Sequence, residues 1–308
     1  MSIFQAIILG VVQGIAEFLP ISSSGHLAVV QRLFGLEEVP LLFDVMLHLA
    51  TLAAGILYFR KKIARLFVIL FRWIFTKGEV SPSLQPASQS SATPSPKGEP
   101  LKSPDSVDLD LLAGTDSLGR KTILAVIFAT LVTGAIGVVT SKVIPDMPIK
   151  VTCAGFIVTA GLLVFSSLWE KRKVVSTTLN HHDKKNGISI PQSLFIGFMQ
   201  GVGTLPGISR SGSTIAGAQL CGVNRAAAGE FSFIVSIPAI LGAFVLEAKD
   251  LGEVGSQIGL LPVLCGCLAA FAWGYLSLSL LMKLIRRGKL EWFACYLVPL
   301  GVFGLIFF

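Results

Sequence analysis

QGIAEFLPISSSGH (13–26) and QGVGTLPGISRSGS (200–213) are two copies of one motif, and how they are read decides the fold. Set over each other without gaps, they share Gln13/Gln200, Gly14/Gly201, Ile21/Ile208, Ser22/Ser209, Ser24/Ser211 and Gly25/Gly212. Each copy interrupts an apolar stretch, the first running from Ile3 to Phe34 and the second from Ile188 to Val223. A carboxylate, a histidine, an arginine and several hydroxyls thus lie where a membrane-spanning chain should carry none. Such groups are costly in hydrocarbon and by default mark a functional site.

The surroundings are those of a polytopic membrane protein. Of 308 residues, 53% are hydrophobic and 14% charged, against about 25% charged in a soluble domain. Mean hydropathy is +0.75. The apolar runs far exceed the ~10 alternating residues of a barrel strand, which argues against an outer-membrane barrel. The net charge of +7 does not indicate a nucleic-acid partner, because the basic residues cluster in short loops beside apolar spans. Cys153, Cys221, Cys265, Cys267 and Cys295 read as small buried hydrophobes, without a disulfide framework or a metal spacing. Met1 is followed directly by apolar sequence with no basic n-region, so no cleavable signal peptide is expected.

Runs long enough to cross a ~30 Å core are Leu41–Phe59, Ile123–Ser141, Val151–Trp169, Phe231–Leu246, Ile258–Met282 and Trp292–Phe308. Three basic clusters follow spans: Arg60, Lys61, Lys62 and Arg65; Lys171, Arg172 and Lys173; Arg286, Arg287 and Lys289. The positive-inside rule puts them in the cytoplasm. The segment from Ile188 to Val223 then starts and ends inside, so it dips into the membrane and returns. Its counterpart dips in from outside. The expected fold is an all-α polytopic membrane protein, with six transmembrane helices and two re-entrant helical hairpins in an inverted-topology repeat. One membrane domain covers 1–308, with a first repeat at 1–169 and a second at 188–308. The Ser- and Pro-rich insert 77–119 is expected to be a disordered cytoplasmic loop. Ile63–Phe75, too short to span, reads as an interfacial amphipathic helix.

The motifs carry chemistry. Gln13 and Glu17, spaced i,i+4, share a helix face. Pro20 stops that helix, and Ser22, Ser23, Ser24 and Gly25 sit at the N-terminus of the next, where backbone N–H groups favour an anion. His26 follows. Ser209, Ser211, Gly212, Ser213 and Thr214 repeat the pattern and Arg210 adds a planar fork matched to phosphate oxygens. Converging hairpins would form a phosphate site, with Glu17 and His26 for acid–base work and a serine beside histidine as a nucleophile arrangement. A serine run after proline is also a common helix cap. Asp44 and His48, spaced i,i+4 on one span, read equally as structural polar glue or as support for the site. Glu230 reads as a partner for Arg210 or as a cap at a span entrance.

At these residues the chain resembles the undecaprenyl-diphosphatase (bacitracin-resistance) family. Gln13–His26 is similar to its (E/Q)-x-x-x-E plus P-x-S-S-x-G-H signature, Pro206–Thr214 to its P-G-x-S-R-S-G-x-T signature, and Glu230–Phe233 to a third element. The resemblance implies an integral-membrane phosphatase of the bacterial inner membrane. It would convert undecaprenyl diphosphate to the monophosphate carrier of peptidoglycan synthesis and so confer bacitracin resistance, with its site facing outside. It implies catalytic roles for Glu17, Ser23, His26 and Arg210, with substrate contacts from Gln13, Ser22, Ser24, Gly25, Ser209, Ser211, Gly212, Ser213 and Thr214. It also implies a divalent cation, Mg²⁺ or Ca²⁺, with Glu17 as a ligand. Gln13 takes the place of a second carboxylate there and cannot supply its charge. The expected partners are the polyprenyl diphosphate and membrane lipids; the Gly-rich spans permit the close contacts of a homodimer. The rival class is a secondary transporter or flippase for an anionic lipid. The serine–histidine pair beside Glu17 speaks for the phosphatase.

Overall fold

A computed structural model of the chain describes residues 1–36, 41–75, 112, 116–143, 147–176, 187–247 and 258–308. Most of the insert 77–119 therefore lies outside the described residues. The described residues fold into helices: α1 (Ile3–Phe18), α2 (Ser23–Leu33), α3 (Leu41–Tyr58), α4 (Arg60–Phe75), α5 (Asp116–Val143), α6 (Ile149–Ser176), α7 (Ile190–Val202), α8 (Arg210–Leu220), α9 (Arg225–Glu247), α10 (Leu260–Arg286) and α11 (Trp292–Phe307).

Local chemistry sets the breaks. Leu19 ends α1 in an extended conformation (φ −62°, ψ 142°), as the residue before a proline must, since the Pro20 ring disfavours the helical region for its predecessor. Ser22 then caps α2, its hydroxyl accepting from the Gly25 N–H at 3.3 Å. Ser209 does the same for α8, accepting from the Gly212 N–H at 3.1 Å. Each cap satisfies one of the donors a helix start leaves open. The motif is thus a helix–break–helix hairpin in both copies.

Four helices, within α5, α6, α9 and α10, are long and apolar enough to cross a membrane, and a fifth span results if α3 and α4 count as one bent element. The bend between them is 84°, which takes α4 out of line with α3. Its basic residues Arg60, Lys61 and Arg72 are exposed; Leu66 and Ile69 are buried, while Phe67, Val68, Phe71, Ile74 and Phe75 are exposed. Most span helices outrun their apolar cores, because flanking polar residues such as Asp116 and Arg225 continue the helical hydrogen bonding. The exceptions are α3 and α11, whose 18 and 16 residues fall short of the ~20 that a hydrocarbon core takes. The chain is a multi-pass membrane protein.

The hairpins lie between the long helices. α1 packs along α10 and α7 along α5, and glycine permits both close approaches. A Cβ on Gly14 would stand 2.7 Å from the Ala270 carbonyl oxygen and 2.8 Å from the Gly274 nitrogen. One on Gly201 would stand 2.6 Å from the Ile136 side chain. α6 and α11 pack together and α3 packs on α9, with Phe43, Phe156 and Phe231 fully buried in the interior.

Candidate active site

The two breaks meet. A Cβ on Gly212 would lie 3.2 Å from Pro20 Cβ, and Ser211 Oγ donates to the Leu19 carbonyl at 3.2 Å. The second loop is seated on α6: Ser209 N–H donates to Thr159 Oγ1 at 2.9 Å, and Gly207 turns with φ +78°, a value that favours glycine. The first loop rests on the same helix, since a Cβ on Gly25 would collide with Phe156 at 2.6 Å.

Glu17 is the hub. The residue is 6% exposed, and a buried charge needs partners. Arg210 Nη2, from the other hairpin, pairs with Oε1. Oε2 accepts from Gln13 Nε2 at 2.9 Å and from Ser23 Oγ at 2.7 Å. His48 Nε2, on α3, lies 3.4 Å from the same oxygen. Four elements thus converge on one carboxylate.

His26 does not point at Ser23. Its Nδ1 lies 2.7 Å from the Ser22 carbonyl oxygen, and its Nε2 lies 2.8 Å from the Tyr296 hydroxyl on α11. The ring is tilted against Phe156 and stacked on Tyr296. Ser22, which supplies the carbonyl, has φ 68° and ψ 92°, an uncommon conformation for a residue with a Cβ. The serine–histidine pairing expected from sequence is therefore replaced by a Ser23–Glu17 hydrogen bond. Two residues beyond the sequence-based set enter the region: Tyr296 here, and Thr159 beneath Ser209. Tyr296 is a lone hydroxyl in an apolar helix and Thr159 one of several in α6, and the sequence reading singled out neither.

The remaining candidates divide. Thr214 Oγ1 donates to the Arg210 carbonyl at 2.6 Å and stabilises the first turn of α8. Ser209 and Ser211 hydroxyls lie 3.2 Å apart. Ser24 is exposed, whereas Ser213 is fully buried and its Oγ has no hydrogen-bond partner among the described residues. Asp44 lies one step out, accepting from Gln31 Nε2 at 2.8 Å; His48 Nδ1 bonds the Asp44 backbone carbonyl at 2.7 Å, not its carboxylate. Glu230 forms an ion pair with Lys62 of α4, while the guanidinium of Arg210 goes to Glu17.

The donor set does not fit a resident divalent cation at Glu17. Both oxygens already face donors, among them a guanidinium, and the second carboxylate of a metal pair is here the Gln13 amide. Gln13 Oε1 is buried and has no hydrogen-bond partner among the described residues, but one neutral oxygen beside a cationic side chain is a poor cation ligand. No group of three or more histidine, cysteine, aspartate or glutamate side chains suited to a metal occurs among the described residues.

The family model described as Bacitracin resistance protein BacA matches residues 6–303. An undecaprenyl-diphosphatase of Treponema denticola is 42% identical over 308 residues, covering 100% of this chain and 98% of its own. One of Carboxydothermus hydrogenoformans is 35% identical, covering 99% of this chain and 97% of its own. One of Borrelia recurrentis is 32% identical, covering 100% and 98%. The chain belongs to the bacitracin-resistance BacA family.

Proposed function

We propose that this member of the BacA family is an undecaprenyl-diphosphate phosphatase, releasing inorganic phosphate and leaving undecaprenyl phosphate. Family membership and the shared name of its full-length relatives support the activity. One structural observation supports the assignment of the site: Glu17 holds Arg210 of the opposite hairpin and the Ser23 hydroxyl at once.

Arg210 provides the fork that takes the diphosphate oxygens, helped by the N–H groups opening α2 and α8. Ser23 Oγ attacks the terminal phosphorus. Its proton passes to Glu17 Oε2, already at hydrogen-bonding distance, and the bond from phosphorus to the bridging oxygen breaks, releasing undecaprenyl phosphate. Water then attacks the phosphoserine; the serine oxygen leaves and recovers the proton from Glu17, while His26 takes the proton of the water and passes it to the departing phosphate. Drawing Arg210 toward the phosphates weakens its hold on Glu17 and makes the carboxylate a better base. A cavity of about 20 Å³ lined by Glu17, Arg210, Ser211, Ser232 and Ser236 has room for water and not for a diphosphate. The headgroup therefore enters past the more open Ser23, Ser24 and His26.

In this reading any divalent cation arrives as the counter-ion of the diphosphate and not as a ligand of the protein. The chain crosses the inner membrane with six spans and two opposed re-entrant hairpins, repeats 1–169 and 188–308 being inverted. The reciprocal packing of α1 on α10 and α7 on α5 supports that arrangement, as does the cytoplasmic placing of the basic clusters, which leaves the site open to the outside.

Phosphate release from undecaprenyl diphosphate by purified protein in detergent tests the activity, since a carrier needs sealed compartments and a phosphatase does not. Trapping with ³²P-labelled substrate should yield phosphoserine at Ser23, lost in Ser23→Ala. Absence of phosphate release, or a trapped phosphohistidine, would overturn the respective part of the reading.

A further inference from the structure

We propose that Tyr296 is a positioning residue for His26, its hydroxyl donating to Nε2 and holding the imidazole as the Nδ1–H tautomer. This rests on the acid–base role given to His26 above.

The contact at Nδ1 fixes the tautomer. A carbonyl oxygen only accepts, so the 2.7 Å contact with the Ser22 carbonyl requires the proton on Nδ1. In the neutral ring Nε2 is then an acceptor, and at 2.8 Å the Tyr296 hydroxyl must be its donor. A ring nitrogen held on each side leaves the imidazole little freedom to rotate. The faces are held as well, with Tyr296 stacked at 18° and a centroid distance of 5.7 Å, and Phe156 at 5.1 Å. Tyr296 is half-exposed at 49%, so it can swing aside without opening the core. With Tyr296 swung aside Nε2 takes the proton of the water, and when the hydroxyl returns the pair is reversed: the imidazolium donates and the tyrosine oxygen accepts. A phenol thus accompanies both protonation states without a second charge, which neither a carboxylate nor an amine could do. The contact also ties the last helix of the chain to its first hairpin, 270 residues apart.

Tyr296→Phe keeps the stack and removes only the hydroxyl. In protein labelled with ¹⁵N-histidine, the Nε2 resonance assigned through His26→Gln should move toward that of an imidazole nitrogen without a donor. kcat should fall about three- to tenfold, the value of one neutral hydrogen bond, with KM unchanged. An unmoved resonance would overturn the contact, and a moved resonance with wild-type kcat would overturn its role in turnover. A raised KM at constant kcat would make Tyr296 a substrate contact instead. Wild-type turnover in His26→Gln would overturn the premise separately, whatever Tyr296→Phe does. Gel-filtration profiles matching wild type confirm that each variant is folded.

Discussion

Arg210 is the residue whose geometry matters most to the proposed chemistry. Its guanidinium meets Glu17 through Nη2 and keeps further N–H groups for phosphate oxygens. Lysine would keep the charge and lose the fork. Arg210→Lys is expected to lower kcat/KM by roughly 10- to 100-fold, the cost of one charge-assisted hydrogen bond; near-normal turnover would count against a fork-like grip. Ser22 gives a second test. Its positive φ costs about 1–2 kcal/mol for a residue with a Cβ, whereas exchanging a serine cap for glycine loses only a few tenths. Ser22→Gly should therefore raise thermal stability in detergent by about 1 kcal/mol while lowering kcat, because the carbonyl that holds His26 gains freedom. At this scale the sequence was informative where residues clustered. Glu17, Ser23 and Arg210 meet as their spacing and repetition suggested. Tyr296 was invisible because a lone tyrosine in an apolar helix resembles any interface anchor. The direction of the His26 ring depended on the conformation of Ser22, which no pattern encodes.

Among the elements, the hairpins were the readable part, since Pro20, the serine caps and Gly207 punctuate them. Their seats were not readable, because glycine–helix contacts join residues far apart in sequence. The seats are also where packing is least forgiving. Gly14→Ala would push a methyl into the α10 backbone at 2.7 Å, an overpacking that costs about 1–3 kcal/mol, and would shift Gln13 and Glu17 with it. Gly161→Ala on α6 meets nothing within 4 Å and should leave stability and turnover alone. Comparing the two by thermal unfolding and phosphate release separates a packed glycine from an idle one; equal behaviour would refute the proposed seating. The turn from α3 into α4 also escaped exact reading. The charges Arg60, Lys61 and Lys62 mark where a span ends, but no charge pattern carries the 84° angle, at which Leu66 and Ile69 are buried.

For the whole molecule, loop charge leads to an expectation of two opposed halves with three spans each, the arrangement proposed above. The orientation makes a direct prediction. A C-terminal alkaline phosphatase fusion should be active and a C-terminal green fluorescent protein dark, both reporting an external end; the opposite pair of results would invert the topology. The ion pair between Glu17 and Arg210 has a consequence for how variants must be interpreted. In the proposed chemistry it is a catalytic contact, and in the fold it balances charge at the joint between the two hairpins. Removing one member strands a buried charge, at about 3–5 kcal/mol, whereas neutralising both is far milder. Arg210→Met should thus unfold earlier than the Glu17→Gln/Arg210→Met pair, though both are inactive. The charge pair to which phosphoryl transfer is assigned would also act as a registry mark, recording whether the two hairpins have found each other.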